Sequence, residues 1–323
     1  MIVTLTVNPS LDRTVELDRE LARGEVQRVA RSVEEPGGKG VNVTRALVAA
    51  GADSVAVLPG RADDPLVVAL AAVGLPVATV PIAARLRSNI AITEPDGVTT
   101  KLNEPGPALD DDEQRALIRL TVERSTDASW LVLAGSLPPS LPDDFYVRVA
   151  REVRAAGVGA RIAVDTSGAP LAALVDSGEE IDLIKPNGEE LAELTGETDS
   201  DALEADPERV AELAARLAPR GIHSALVTLG ARGAVHIGAG GAWFAPAPRI
   251  DARSTVGAGD SSLAGFLLAV TEGATPDRAL AQAVAHGAAA ASLPGSAVPT
   301  RADADATAIT AIRIRGAVAP AVH

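Results

Sequence analysis

The stretch LVLAGSLPPSLPDDFYVRVAREVRAAGVGARIAVD, residues 131–165, holds one complete structural unit. Leu131–Ala134 is an apolar run of strand length that enters the turn GSLPPS. Phe145–Ala156 has helical spacing and stops at Gly157, and Arg161–Asp165 is apolar again. Strands that are apolar throughout, joined through a helix, belong to a parallel sheet covered on both faces, because a sheet with one wet face would alternate polar and apolar residues.

The same rhythm extends both ways. Val3–Val7 reads as a strand ending at Asn8-Pro9, and Val43, Ala46, Leu47 and Ala50 fall at helical spacing before Gly51. Ser54–Leu58 is a strand and Leu66–Val73 a helix. Ile181–Ile184, Ser224–Leu229 and Ala234–Ile237 are further strands, with a helix at Glu208–Leu217. Leu263, Phe266, Leu267 and Val270 share one helical face, and Pro276–Ala291 is an Ala-rich helix. The expected fold class is α/β with a mostly parallel central sheet, whose ligand sites lie beyond the carboxyl ends of the strands.

Two segments break this order. Thr14–Val33 and Ser88–Asn103 alternate polar and apolar residues around turn signals such as Arg-Gly and Pro-Asp-Gly, as antiparallel hairpins do. They read either as a small β lid built from two separated pieces or as surface decoration. The lid reading divides the chain into a body (1–10, 36–87 and 104–316), a lid (11–35 and 88–103) and a loose tail (317–323).

Composition narrows the function. The 323 residues carry a formal charge of −14, with 47% apolar and only 2% aromatic residues. Such a charge argues against non-specific binding to nucleic acid or anionic membranes. No run approaches the length of a spanning helix, and MIVTLTVNPSLDR lacks the pattern of a signal peptide. Without cysteine there is no disulfide, thiolate metal site or Cys nucleophile. A cytoplasmic soluble enzyme or binding protein is expected. Only three lysines (Lys39, Lys101, Lys185) stand against twenty-six arginines. That is either compositional drift or the retention of Lys where a compact, flexible point charge is wanted.

Several turns carry groups suited to chemistry. In Ser254-Thr255-Val256-Gly257-Ala258-Gly259-Asp260, the glycines would expose successive N–H groups at a helix N-terminus, an anion hole for a phosphoryl group. Asp260 beside it either accepts a proton from an attacking hydroxyl or merely caps the helix. Pro36-Gly37-Gly38-Lys39-Gly40-Val41-Asn42 lets backbone amides approach a ligand while Lys39 adds charge and Asn42 an amide, or it is a tight turn with an exposed lysine. It is not a Walker A loop, since Gly40 follows Lys39, and no G-x-G-x-x-G follows a strand. Lys185-Pro186-Asn187-Gly188-Glu189-Glu190 presents an Asn and a carboxylate three apart, which organise Mg²⁺ waters or simply cap a helix. Thr228–Gly233 offers a bare backbone to a nucleotide, or is an ordinary hairpin turn. Asp12 follows the first strand, where a carboxylate can hold sugar hydroxyls, although an exposed turn aspartate is the commoner case. The four histidines have no metal-ligand spacing.

Taken in order, these turns resemble the PfkB/ribokinase-type sugar kinases, and within them the 1-phosphofructokinase and tagatose-6-phosphate kinase branch. The matching stretches are TLTVNPSLDRTV, RGEVQRV, PGGKGVNVTRAL, LAGSLPPS, VDTSG, LIKPNGEEL, VTLGARGA and STVGAGDSSLAGF, from about residue 4 to residue 290. The resemblance implies a Rossmann-like αβα sandwich (ribokinase-like) with a small β lid that often forms a homodimer interface. It implies ATP, Mg²⁺ and phosphoryl transfer to a sugar-phosphate hydroxyl. By the same resemblance Asp260 is the catalytic base, and Gly257, Ala258 and Gly259 form the anion hole. Asp12, Gly37, Gly38, Lys39 and Asn42 form the sugar-phosphate site, Arg87 grips the substrate phosphate, and Ser136 is a further contact. Lys185, Asn187 and Glu190 organise Mg²⁺ and phosphates, Glu190 through water. Thr228, Gly230, Gly233, Gly259 and His286 lie where such enzymes hold ATP.

The sugar is less sharply marked. GGKG with RGEV resembles the fructose 1-phosphate enzymes more than the minor 6-phosphofructokinases, where Gly commonly replaces that lysine. SNIAITEPDGVTTKLNEPGP also resembles tagatose-6-phosphate kinases, and RLRSN lacks the Thr often seen beside the arginine. The expectation is an ATP-dependent kinase making fructose 1,6-bisphosphate from fructose 1-phosphate. Tagatose-6-phosphate kinase and 6-phosphofructokinase are the alternatives, and a non-catalytic sugar-phosphate or nucleotide sensor is the competing class.

Overall fold

The computed structural model describes residues 1–315, so the tail expected at 317–323 lies outside the described residues. The first part of the chain forms β1 (Ile2–Leu5), β2 (Ser10–Glu16), β3 (Arg31–Gly37), α1 (Lys39–Ala49), β4 (Ser54–Pro59), α2 (Pro65–Ala72), β5 (Val77–Val80), β6 (Arg87–Thr93) and β7 (Thr99–Asn103). The middle forms α3 (Asp111–Ser125), β8 (Trp130–Ala134), α4 (Phe145–Ala155), β9 (Arg161–Asp165), α5 (Gly168–Asp176), β10 (Leu183–Ile184), α6 (Gly188–Thr195), α7 (Ser200–Glu204) and α8 (Pro207–Ala215). The last part forms β11 (Ala225–Thr228), β12 (Gly233–Gly238), β13 (Gly241–Pro246), α9 (Ala258–Thr271), α10 (Pro276–Ala291) and β14 (Ile312–Ile314).

Ten strands make the large sheet in the order β14-β13-β12-β11-β10-β9-β8-β1-β4-β5. From β5 through β11 every neighbour is parallel; β12, β13 and β14 then add antiparallel. The change comes at the short turn Gly230–Arg232, because a parallel neighbour needs a crossover of about a dozen residues or more. The sheet is thus parallel where helices intervene and antiparallel where they do not.

Side-chain alternation divides the core between the two faces. Val3 and Leu5 of β1 and Leu131 and Leu133 of β8 join one cluster, which Phe145, Tyr146 and Val149 of α4 also enter. Ile2, Trp130, Val132 and Ala134 face the other way, onto Leu47 of α1, Leu263 and Leu267 of α9 and Leu280 of α10. With so few aromatic rings in the chain the interior is built mainly of Leu, Val, Ile and Ala, each buried large aliphatic side chain contributing roughly 1.5–3 kcal/mol.

A second sheet of four strands, β3-β2-β6-β7, stands apart. β2 pairs antiparallel with β3 and parallel with β6, and β6 pairs antiparallel with β7. Its two hairpins come from the two segments that break the α/β rhythm. The strands begin earlier than the hydrophobic alternation indicates, at Ser10 and Arg87, and β3 runs on to Gly37. Asp12 and Arg87 therefore lie inside this sheet rather than beside it.

Candidate active site

The parallel strands deliver their polar turns to one edge. At the end of β9, Asp165 is wholly buried, and it draws in two lysines from distant segments: Lys39 Nζ at 2.6 Å from Oδ1 and Lys185 Nζ at 3.2 Å from Oδ2. Burial alone would disfavour the Asp165 carboxylate, but the two ammonium groups override it and hold its pKa below the ordinary carboxylate range. Lys39 is desolvated as well, yet Asp165 keeps its pKa above the usual lysine value, with Asp260 and Glu190 adding to the effect. Lys39 is therefore cationic, and it keeps 36% of its side chain exposed.

Asp260 comes to the same place from α9. Its helix begins after Gly257, which adopts a left-handed φ of 73°, and no side chain caps that end. The Asp260 carboxylate instead accepts a 2.8 Å bond from Asn42 Nδ2, 218 residues earlier in the chain, so the simple capping role is not the one it takes. Asp260 is 7% exposed, while Gly257, Ala258 and Gly259 beside it are half-buried. Burial and then the charge of Asp165 push its pKa up to about 6, against the opposing pull of Asn42, Lys39 and Lys185. A carboxyl of that pKa is ionised at neutral pH yet is a far stronger proton acceptor than an exposed aspartate. Lys185 Nζ lies close to the Gly259 backbone, 3.4 Å from where a Cβ would stand. Backbone amides, a helix N-terminus, a cation and a base thus share one spot.

The residues expected to meet the substrate are gathered on and beside the small sheet. Asp12 Oδ1 accepts bonds from Ser10 Oγ (2.7 Å) and Asn89 Nδ2 (2.8 Å). Gly37 lies directly over the other oxygen: a Cβ there would sit 2.2 Å from Asp12 Oδ2, so only glycine admits this approach. Gly38 and Lys39 follow into α1, which also carries Asn42. Arg87 opens β6; the Asp64 carboxylate that caps α2 also accepts from Leu86 N, fixing the residue before it. Arg87 donates to Glu104 O, and burial lowers its guanidinium pKa, although Asp12 and Glu104 oppose that. Ser136 is exposed, with its Oγ 3.4 Å from Asn8 Nδ2.

For the residues expected at a nucleotide the picture is mixed. Asn187 and Glu190 form a reciprocal capping box on α6, Asn187 Oδ1 accepting from Glu190 N and Glu190 Oε2 from Asn187 N. Capping is thus what the two side chains do, leaving the Asn187 amide nitrogen and Glu190 Oε1 for a ligand. Thr228 bridges Asn187 directly, which joins this turn to the next strand end. Gly230 is exposed on its turn, whereas Gly233 is buried, its Cα packed against Ala245 O of β13. His286 does not reach the open face: it is wholly buried against Gly265 of α9, its Nδ1 bonded to Gln282. Desolvation lowers its pKa and keeps it neutral, so it serves the α9–α10 contact.

Sequence reasoning missed Asp165, Asn89 and Ser10. A carboxylate closing an otherwise apolar strand was a visible signal for Asp165. Asn89 gave none, because its role depends on the parallel pairing of β2 with β6.

A family model described as pfkB family carbohydrate kinase matches residues 6–303. The chain is 34% identical over 304 residues to the 1-phosphofructokinase of Haloferax volcanii, covering 93% of each. It is 33% identical over 293 residues to the ATP-dependent 6-phosphofructokinase isozyme 2 of Escherichia coli K12, covering 90% of this chain and 92% of that one. The crystal structure of phosphofructokinase-2 from Escherichia coli in complex with potassium matches with a TM-score of 0.85 at 31% identity, over 94% of this chain and 96% of that one. With its ribokinase-like architecture and these relatives along nearly its whole length, the chain belongs to the pfkB family of carbohydrate kinases.

Proposed function

We propose that this carbohydrate kinase transfers the γ-phosphoryl group of ATP to the C6 hydroxyl of fructose 1-phosphate, giving fructose 1,6-bisphosphate and ADP. The observation that carries the reading is Asp260: a desolvated carboxylate at a helix N-terminus, oriented by Asn42, with two lysines beside it. In its ionised form Asp260 takes the hydroxyl proton as that oxygen bonds to the γ-phosphorus and the bond from phosphorus to the departing ADP oxygen breaks. The amides of Gly257, Ala258 and Gly259, the positive end of α9, and Lys185 stabilise the charge in transit. Lys39 and Arg87 attract the phosphate of the sugar, and Asp12 receives its hydroxyls. Thr228 and Gly230 border the nucleotide.

The donor set fits Mg²⁺ rather than a metal held by protein alone. Among the described residues no three His, Cys, Asp or Glu side chains come together to cage a cation. Mg²⁺ keeps most of its waters and is bound chiefly by nucleotide phosphates, so one or two outer groups suffice. Glu190 would hold it through water, and the free Asn187 amide nitrogen would donate to a phosphate oxygen beside it; bound there, Mg²⁺ would neutralise phosphate charge.

The four-stranded sheet acts as a lid that excludes water and pairs with a second copy. Leu21, Val26, Val29, Val98 and Leu102 on or near it are exposed apolar residues, and the phosphofructokinase-2 of Escherichia coli is described in a tetrameric inhibited form. A cytoplasmic location accords with the substrate; among the described residues no helix is long and apolar enough to cross a membrane.

A second reading is favoured by one relative: phosphofructokinase-2 of Escherichia coli is described in complex with fructose-6-phosphate. ADP release measured side by side on fructose 1-phosphate, fructose 6-phosphate and tagatose 6-phosphate decides between them. The highest kcat/KM is expected for fructose 1-phosphate. A preference for either 6-phosphate overturns the choice of sugar, and binding without ADP release would make the protein a sensor.

A further inference from the structure

The parallel register of β2 with β6 sets Asp12 opposite Asn89 and Ser10 opposite Arg87. Since side chains alternate along a strand, these four share one face of the small sheet. Asn89 Nδ2 lies 2.8 Å from Asp12 Oδ1 and 3.0 Å from Ser10 Oγ, and Ser10 Oγ donates to the same Oδ1 at 2.7 Å. A carboxylate only accepts, so the amide of Asn89 must turn its nitrogen this way. One oxygen of Asp12 is thereby saturated. The other, facing the bare Cα of Gly37, takes no hydrogen bond among the described residues.

We propose that Asn89 is a positioning residue of the sugar site: with Ser10 it clamps one oxygen of Asp12 and so aims the other at a sugar hydroxyl. The role rests on the reading of Asp12 as the sugar-binding carboxylate. It explains why the site straddles two distant segments, since the clamp holds the Asp12 strand in register with the strand that carries Arg87. Asn89 Oδ1 is buried and has no partner among the described residues, so truncation to Ala removes only the two donated bonds. Hydrogen bonds to a charged acceptor of this kind are worth about a 10- to 100-fold change.

The test is steady-state kinetics of Asn89→Ala and Asn89→Asp with fructose 1-phosphate and ATP varied separately. Asn89→Ala is expected to lower kcat/KM for the sugar phosphate by about 10- to 100-fold while the KM for ATP stays within about twofold. Asn89→Asp sets two carboxylates face to face, and one proton shared between them restores the clamp. Its deficit relative to the parent is therefore expected to shrink towards about pH 5.5 and widen towards about pH 8, a dependence that damaged folding would not produce. Parent-like sugar kinetics in both variants, an equal rise in both KM values, or an Asn89→Asp deficit indifferent to pH would each overturn the role. A parent protein that turns over none of the three hexose phosphates overturns the kinase reading itself, and this role with it.

Discussion

In Asp260→Asn the side chain at the start of α9 keeps its shape and an oxygen for Asn42, but loses its charge and its ability to take a proton. Burial and the neighbouring Asp165 raise the Asp260 pKa from 3.8 to about 6, which amounts to about 3 kcal/mol against the ionised form. Asp260 is nearly inaccessible, so solvent does little to screen that cost. In the unfolded chain the same group ionises near its ordinary value. Between about pH 4 and pH 6 the native protein therefore holds a proton that the unfolded chain has released, and stability falls as pH rises through this window. The deficit is absent below it and complete above it. Asparagine imitates the neutral acid, so the variant escapes the deficit: a higher Tm than the parent at about pH 8 and an equal Tm at about pH 4. Meanwhile kcat should fall by roughly 10²- to 10⁴-fold, as loss of a general base does, with little change in the KM for ATP. Thermal unfolding at the two pH values and an ADP-release assay read both effects. Near-normal turnover would remove Asp260 from the chemistry. A Tm at about pH 8 no higher than the parent's would refute the claim that burial, rather than the lysines, dominates its environment.

Three other perturbations separate the remaining parts of the site. Asn42→Ala withdraws the donor that favours the ionised base, so the acid limb of kcat/KM should move to higher pH by about one unit; an unmoved limb would show that the hydrogen bond does not tune Asp260. Asp165→Asn leaves Lys39 and Lys185 facing each other without their buried counter-charge, and denaturant unfolding should show a loss of about 3–5 kcal/mol together with a marked fall in turnover; parent-like stability would count against an ionic core. Arg87→Ala should raise the KM for the sugar phosphate and leave that for ATP alone, and unchanged sugar kinetics would remove Arg87 from the phosphate site.

How much of this was legible depended on distance along the chain. The βαβ unit at 131–165 is visible because apolar strands and an amphipathic helix are local patterns, and the same holds for the turn at 257–260. The antiparallel end of the sheet was harder to see: β12 is wholly buried and carries the same apolar run as a parallel strand, so only the shortness of the Gly230–Arg232 turn marks the change. Asn187 and Glu190 show the limit of a motif. Three apart before a helix, they satisfy both a capping box and a phosphate organiser, and the backbone bonds show that capping is in use. His286 was placed near ATP by resemblance, but an Ala-rich helix packed on Gly265 draws it inward, which a linear reading of α10 does not reveal. The Asp165 and Asn89 contacts span 126 and 77 residues, and no local pattern encodes them.

The scarcity of lysine has a structural reading at two of its three occurrences. Lys39 and Lys185 meet on the two oxygens of one buried carboxylate, and Lys185 is 5% exposed, with the backbone of Gly259 close to its ammonium. A guanidinium is broader, planar and built for bidentate pairing. Either arginine would tend to take both oxygens of Asp165 and exclude its neighbour, and at 185 it would press on the anion hole. Two compact ammonium groups can share the carboxylate and still offer their remaining N–H bonds to phosphate oxygens. Lys101, on the exposed strand β7, meets no such constraint, and drift accounts for it as well as selection does. In a protein of net charge −14 that must gather two anionic substrates, the attraction has to be local, and this shared carboxylate fixes the lysines at the carboxyl edge of the sheet, where the polar ends of β9 and β10 already converge.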